Sequence, residues 1–317
     1  MSAINTKIPV ISGPTAVGKT SISLAVARTL STVTRPGSEI ISADSRQVFR
    51  QMKIGTATPE ENELDNVPHH FLADRNLDVP NSAGIFAKEA EQRIEAIFKR
   101  GHSPIVVGGS TLYLRALTDG LADIPAVDPE IRPRLNKRLR EEGTEVLYDE
   151  LCSVDPEYCA TLDSSKSQRI IRGLEVWYGT GIPLSEFFNQ QSTPAFSYTY
   201  FILDRDRTEL YARINARVDG MIKDGLVEEV RSILSKGFDP KLNALQTIGY
   251  REVIRYLNGD WSADDMIFEI KKNSRRYAKR QLTWFHGLPE ARWITVSDQT
   301  DEEIAEEVVK LMKLESL

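Results

Sequence analysis

Long apolar runs are missing from this 317-residue chain; none approaches the roughly 20 residues that a membrane-spanning helix requires. The opening "MSAINTKIPV" also lacks the features of a signal peptide, so a cytoplasmic location is expected. Cysteine is nearly absent. Cys152 and Cys159 show no CxxC or Cys/His metal spacing, and they read as reduced, buried thiols rather than a disulfide. His69 and His70 are adjacent and point opposite ways on an extended segment. With no cysteine or carboxylate pattern beside them they make no zinc site, and a structural place in a loop is expected. Internal repeats and low-complexity tracts are lacking too. A basic excess is absent: the net charge is −6, so a nucleic-acid partner requires a local basic face. What remains, 41% apolar and 27% charged residues, is the composition of a soluble globular protein large enough for more than one domain.

The first third alternates short apolar runs with helical patterns. "KIPVIS" reads as a strand, 19–30 as a helix, "EIIS" (39–42) as a strand, 84–100 as a helix and "PIVVGG" (104–109) as a strand. Continuous apolar strands separated by helices predict a parallel sheet covered on both faces. From about 120 to 195 the chain reads as helix only. "FSYTYFILD" (196–204) returns to strand, followed by helices near 207–222, 225–236, 247–258 and 263–285, a strand "RWITV" (292–296) and an acidic terminal helix. The expected fold is α/β: a P-loop NTPase-like parallel sheet core from 1–120 and 196–317, with an all-helical insertion at 121–195.

"GPTAVGKT", residues 13–20, satisfies GxxxxGK[ST] at every fixed position, with strand before and helix after. Gly13 and Gly18 permit the turn, exposed N–H groups and the helix N-terminus attract a polyphosphate, Lys19 neutralises it, and Thr20 can bind Mg²⁺ through its hydroxyl. Most such loops hold ATP or GTP. A motor or signalling NTPase would also end an apolar strand in an acid for the metal, yet "PIVVGGS" supplies none. The nearest acid is Asp44 in "IISADSRQ", at the carboxyl end of the second strand, where it can assist Mg²⁺ or accept a proton. Capping of the next helix is the competing role for Asp44. The pattern favours group transfer to a small acceptor over a mechanical cycle.

"GPTAVGKT", "IISADSRQVFRQMKIGTATP", "VPHHF", "VVGGSTLYLRAL", "SQRIIRGLEVWYGTGIPLSEF", "RINARVDGMIKDGLVEEV", "IGYREVIRYL" and "RRYAKRQLTWF" follow one another in this order. Together they resemble the tRNA dimethylallyltransferase family across nearly the whole chain. The resemblance implies transfer of a dimethylallyl group from dimethylallyl diphosphate to N6 of adenosine 37 in tRNAs that read codons beginning with U, with Mg²⁺, by a monomer. The loop's ligand would then be the diphosphate leaving group, held by Gly13, Pro14, Thr15, Ala16, Val17, Gly18, Lys19 and Thr20. Asp44 would hydrogen-bond or deprotonate the adenine amine. Asp44, Ser45, Arg46 and Gln47 would meet the flipped-out adenosine of the anticodon stem-loop. Ser110, where many relatives carry threonine, Arg132, the run Gln168, Arg169, Ile170, Ile171 and Arg172, and Gln246, Gly249, Tyr250 and Arg251 would touch the tRNA. The stretch "FLADRNLDVPNSAGIF" departs from the commoner form of that region.

Spacing adds three readings. Arg169 and Arg172 lie three apart, hence on one helix face with Ile170 and Ile171 turned elsewhere; a solvated surface would look the same. Arg213 and Arg217 are four apart. Arg217 is the candidate for a second clamp on the diphosphate, where charge builds as the allylic C–O bond breaks, against an ion pair with Asp219 or Glu209. Lys271, Lys272, Arg275, Arg276, Lys279 and Arg280 form two columns with no acid between, opposite an expected core stripe of Ile267, Ile270, Ser274, Tyr277 and Leu282. That face suits a phosphate backbone. Rival functions are an ATP-dependent small-molecule or nucleotide kinase, a prenyltransferase for free adenine nucleotide, and an RNA-binding protein with an inactive loop. The first shares the loop, the second needs neither basic helix nor insertion, and intact Lys19, Thr20 and Asp44 oppose the third.

Overall fold

The structure, a computed structural model, describes residues 7–33, 37–190 and 193–314. Six residues of the opening segment, and residues 191 and 192 of the stretch read as a helical insertion, lie outside the described residues. The chain forms two compact units, Met1–Thr118 with Ala195–Leu317, and Asp119–Pro194.

In the first unit the strands are β1 (Ile8–Ser12), β2 (Ser38–Ser42), β3 (His69–His70), β4 (Ser103–Gly108), β5 (Tyr198–Asp204) and β6 (Arg292–Thr295). They make one sheet in the order β3-β2-β4-β1-β5-β6, parallel throughout. Every residue of β1 and β2 is buried, as expected for strands with helices on both faces. Helices α1 (Lys19–Val33), α2 (Ala83–Lys99) and α3 (Thr111–Thr118) belong to the first half of this unit. β1 and β4 are neighbours, yet the chain leaves them toward opposite edges, which opens a crevice at their carboxyl ends. The core joins Ile11, Ile105, Phe201 and Leu203 of the sheet and Val26 of α1 to Ile214, Ala278 and Val308 of the later helices.

β3 corrects the loop expected at His69 and His70. The two residues pair with Ile40 and Ile41, and the His70 ring nitrogen Nε2 lies 2.7 Å from the Glu39 carboxylate. Two histidines carry no apolar alternation, so the sequence could not announce a strand here.

The second unit contains helices α4 (Ile131–Glu142), α5 (Thr144–Val154), α6 (Pro156–Cys159), α7 (Ser167–Thr180) and α8 (Leu184–Asn189) around Ile131, Leu135, Leu147, Leu151, Ile170, Ile171 and Leu174. Buried Asp155 ties it together, accepting from Tyr158 N–H, Ser185 N–H and the Ser185 hydroxyl. Cys152 and Cys159 are joined as a disulfide, not left as free thiols; the α5–α6 turn brings their Cα atoms to 5.1 Å.

The remaining helices, α9 (Arg207–Lys223), α10 (Leu226–Ser235), α11 (Tyr250–Leu257), α12 (Ala263–Phe285) and α13 (Asp301–Leu314), return to the first unit. α9 starts on an Asp206 cap, which accepts from Thr208 and Glu209 N–H, and α12 on a Ser262–Asp265 capping box. No helix among the described residues is long and apolar enough to cross a membrane.

Candidate active site

Residues 13–18 link the end of β1 to the start of α1. Gly13 takes φ +146°, and a side chain there would meet the Leu203 carbonyl oxygen at 2.7 Å; no other residue fits. The loop opens into a cavity of about 1160 Å³ whose polar wall includes Lys19, Thr20, Asp44, Arg213, Arg217 and Gln281. Ile54, Leu72 and Met221 add apolar surface to the same cavity.

Lys19 Nζ donates to the carbonyls of Gly13 (2.9 Å) and Pro14 (2.8 Å), curling over its own loop. Burial and the nearby Arg217 cation lower its pKa to about 8, against the opposing pull of Asp44. Arg217 Nη2 donates to the Thr56 carbonyl at 2.9 Å, while its buried Nε finds no partner among the described residues. Neither expected carboxylate, Asp219 or Glu209, pairs with it: Asp219 pairs with Lys271, and Glu209 with Arg205 and Ser297. Arg213 Nε donates to the Ala16 carbonyl at 3.0 Å. A buried guanidinium with an unused donor, beside a lysine whose pKa is lowered by burial and by that cation, is an arrangement that an anion stabilises.

Asp44 follows β2. Its Oδ1 accepts from the N–H groups of Arg46 (2.8 Å) and Gln47 (3.2 Å), so the carboxylate shapes its own turn and faces the cavity. Ser110 Oγ accepts from Ser45 N–H at 3.0 Å, and Arg46 Nη1 donates to Asn243 Oδ1 at 3.1 Å. Gln47 Nε2 donates to the Thr56 and Ala57 carbonyls. The set can neutralise a diphosphate and, from the other strand end, accept a proton. Among the described residues no group of three or more His, Cys, Asp or Glu could hold a metal.

The other predicted positions separate. Gln168 and Arg169 are exposed on α7, but Ile170 and Ile171 are 0% exposed in the helical core and cannot reach an RNA. Arg132 and Arg172 converge on Glu175, at 2.9 Å and 2.8 Å. Gln246 is exposed, whereas Gly249 and Tyr250 are buried and Arg251 pairs with Glu252. Tyr250 is correspondingly a core residue, its hydroxyl donating to Glu229 at 2.5 Å.

α12 also differs from expectation. Its buried residues are Met266, Ile270, Ala278, Gln281 and Phe285; Ile267, Ser274, Tyr277 and Leu282 are only half-buried. Lys271 pairs with Asp219 at 2.6 Å and Lys272 with Glu269 at 2.5 Å, while Arg275 donates to Asn215. The exposed basic end is Arg276, Lys279 and Arg280. Gln281 was missed by sequence reasoning. It is 2% exposed, accepts from Thr15 N–H at 2.9 Å and donates to the Gly109 carbonyl at 2.7 Å, linking the phosphate loop to the β4 end. The available signal was a neutral amide set within a cationic helix.

A phosphate loop at the carboxyl end of a central parallel strand makes this a P-loop-like α/β protein. The model of the IPP transferase family matches residues 47–288. Over 93% of this chain and 90% of the relative, it is 50% identical to a tRNA dimethylallyltransferase of Salinibacter ruber. Over 92% and 93% it is 45% identical to one of Christiangramia forsetii. The full-length tRNA isopentenylpyrophosphate transferase of Bacillus halodurans superposes with a TM-score of 0.71 at 35% identity, covering 98% of both chains. A eukaryotic dimethylallyltransferase captured acting on tRNA superposes at 0.77 and 28% identity, covering 92% of this chain and 74% of that one. The chain belongs to the IPP transferase family.

Proposed function

We propose that this chain transfers the dimethylallyl group of dimethylallyl diphosphate to N6 of adenosine 37 in tRNAs reading codons that begin with U. Family membership supports the reaction class, and one observation carries its placement here: Lys19, Arg217 and Asp44 face a single cavity at the phosphate loop. The allylic C1–O bond breaks, N6 bonds to C1, and diphosphate leaves with the bonding pair. Lys19 and Arg217 balance the charge that grows on the departing oxygen. Ile54, Leu72 and Met221 offer the dimethylallyl chain an apolar wall. The N6 amine is weakly nucleophilic because its lone pair is delocalised; Asp44 accepts its N–H and takes the proton as the N–C bond forms. The adenosine must leave its stack to present N6, at a cost of a few kcal/mol that an unpaired loop lowers.

Mg²⁺ bound through substrate phosphates needs only one or two protein oxygens, and the Thr20 hydroxyl at this cavity would supply one. That ion supplies charge neutralisation to the leaving group. Exposed Gln168, Arg169, Gln246, Arg276, Lys279 and Arg280 serve as tRNA contacts, while Arg132 and Arg172 are paired with Glu175. The enzyme acts as a cytoplasmic monomer.

The test is incubation with labelled dimethylallyl diphosphate and unmodified tRNA, followed by nucleoside analysis. N6-dimethylallyladenosine at a single anticodon-loop position is expected. Label that stays in dimethylallyl diphosphate, with ATP consumed in a parallel incubation that supplies it, would point to a kinase.

A further inference from the structure

Glu229 lies on α10, at the end of the same motif that carries Arg217 but with no chemical role assigned to it, and its carboxylate accepts four hydrogen bonds. Oε2 accepts from the N–H groups of Lys53 and Ile54, both at 2.8 Å, and Oε1 from Gly55 N–H at 3.2 Å and from the Tyr250 hydroxyl at 2.5 Å. One carboxylate thus gathers three consecutive backbone donors from a loop more than 170 positions away in sequence. Gly55 is closed down on the same spot: a side chain on it would meet the Tyr250 ring at 2.4 Å. The residue after these three donors is Thr56, whose carbonyl accepts from Arg217 Nη2 and Gln47 Nε2. That carbonyl is the hydrogen-bond partner that fixes Arg217, whose Nε is left without one.

We infer that Glu229, braced by Tyr250, is a positioning residue: it sets the 53–56 loop so that the Thr56 carbonyl aims Arg217 into the cavity for the diphosphate. The inference rests on the transferase reading for its ligand. A charged carboxylate suits the role because it only accepts, and four donors converge on it. A glutamine in its place would turn an NH₂ group toward backbone N–H groups and break the cradle.

The experiment uses the full chain with Mg²⁺ and inorganic pyrophosphate as probe, together with hydrogen exchange. In Glu229→Gln, exchange should accelerate at the amides of residues 53–55 and not in β1 or β4. Pyrophosphate affinity should fall roughly tenfold, in line with losing hydrogen bonds to a charged group, with a matching fall in kcat at saturating tRNA. In an Arg217→Ala background, Glu229→Gln should weaken pyrophosphate less than about twofold, because the effect travels through that arginine. Tyr250→Phe keeps the carboxylate and removes one donor. It should show the same pattern with a smaller loss, and it decides the matter if Glu229→Gln fails to fold. Equal losses in both backgrounds, or a lowered melting temperature with unchanged affinity and exchange at 53–55, would reduce Glu229 to a stability residue and overturn the inference. A parent chain that bound no pyrophosphate would instead overturn the diphosphate reading beneath it.

Discussion

The crevice of the sheet unit and the helical unit treat positive charge in opposite ways. In the helical unit three arginines are matched to acids: Arg132 and Arg172 to Glu175, and Arg138 to Glu142 and Glu150, at 2.8–2.9 Å. In the crevice Lys19, Arg213 and Arg217 donate instead to the carbonyls of residues 13, 14, 16 and 56, and Asp44 is the carboxylate whose charge acts on Lys19 and Arg217. Carbonyl partners orient a cation without cancelling its charge, so the crevice keeps its charge for a ligand while the three paired arginines of the helical unit are engaged in structure. The number of arginines in a segment therefore says little about the charge it can offer.

The sharpest break between the two regions should come from Lys19→Ala. Losing a preorganised cation at the leaving group is expected to lower the transfer rate by at least roughly 10²–10³, with tRNA affinity changed only a few-fold; single-turnover kinetics beside filter binding measures both. Near-normal turnover would mean that the loop is not the diphosphate site.

The lowered Lys19 pKa gives a pH test. The lysine is charged below about 8 and loses its proton above it, so dimethylallyl diphosphate affinity should hold steady below that pH. Above it, affinity should fall by up to roughly tenfold per pH unit until the pKa of the complex is reached. In Lys19→Arg the guanidinium stays charged, and the same titration should be flat across this range.

In the helical unit the opposite substitution matters. Glu175→Ala strands Arg132 and Arg172, which are 42% and 39% exposed and so partly screened by water. A loss of about 1–2 kcal/mol in folding stability is expected from thermal melts, with the diphosphate affinity of the folded protein unchanged. The smallest expected change concerns α12. Arg276→Gln with Arg280→Gln should reduce the salt slope of tRNA binding by up to about 2, whereas Lys271→Gln, whose charge Asp219 already engages, should leave it nearly constant. Equal slopes for the two variants would remove the distinction between paired and exposed cations.

The same contrast explains what could be read from sequence. β1, β2, β4 and the helix after the phosphate loop were legible because continuous apolar runs and the GxxxxGK[ST] spacing are local signals. The family was legible from ordered motifs spanning most of the chain. Burial within a motif was legible only in part: spacing turned Ile170 and Ile171 away from Arg169 and Arg172, although the resemblance set them with the tRNA contacts, while the burial of Tyr250 depends on what packs against its helix. Pairing of charges was likewise hidden, since Asp219 reaches Lys271 from another helix and Glu175 meets Arg132 across 43 positions. Gln281 and Glu229 act on loops at residues 15, 109 and 53–55, contacts that no spacing rule encodes.

Asp44→Asn tests the proposed chemistry most directly. Asparagine keeps an oxygen for the N–H groups of Arg46 and Gln47, so the turn survives, but it can neither take a proton nor carry charge. Rapid-quench single-turnover measurements, beside filter-binding titrations on the same preparation, should show the rate of dimethylallyl transfer reduced by roughly 10²–10⁴ with tRNA affinity within a few-fold of the parent. A rate within a few-fold of the parent would remove Asp44 from the proton transfer, and a collapse of tRNA binding alone would make it a recognition residue instead.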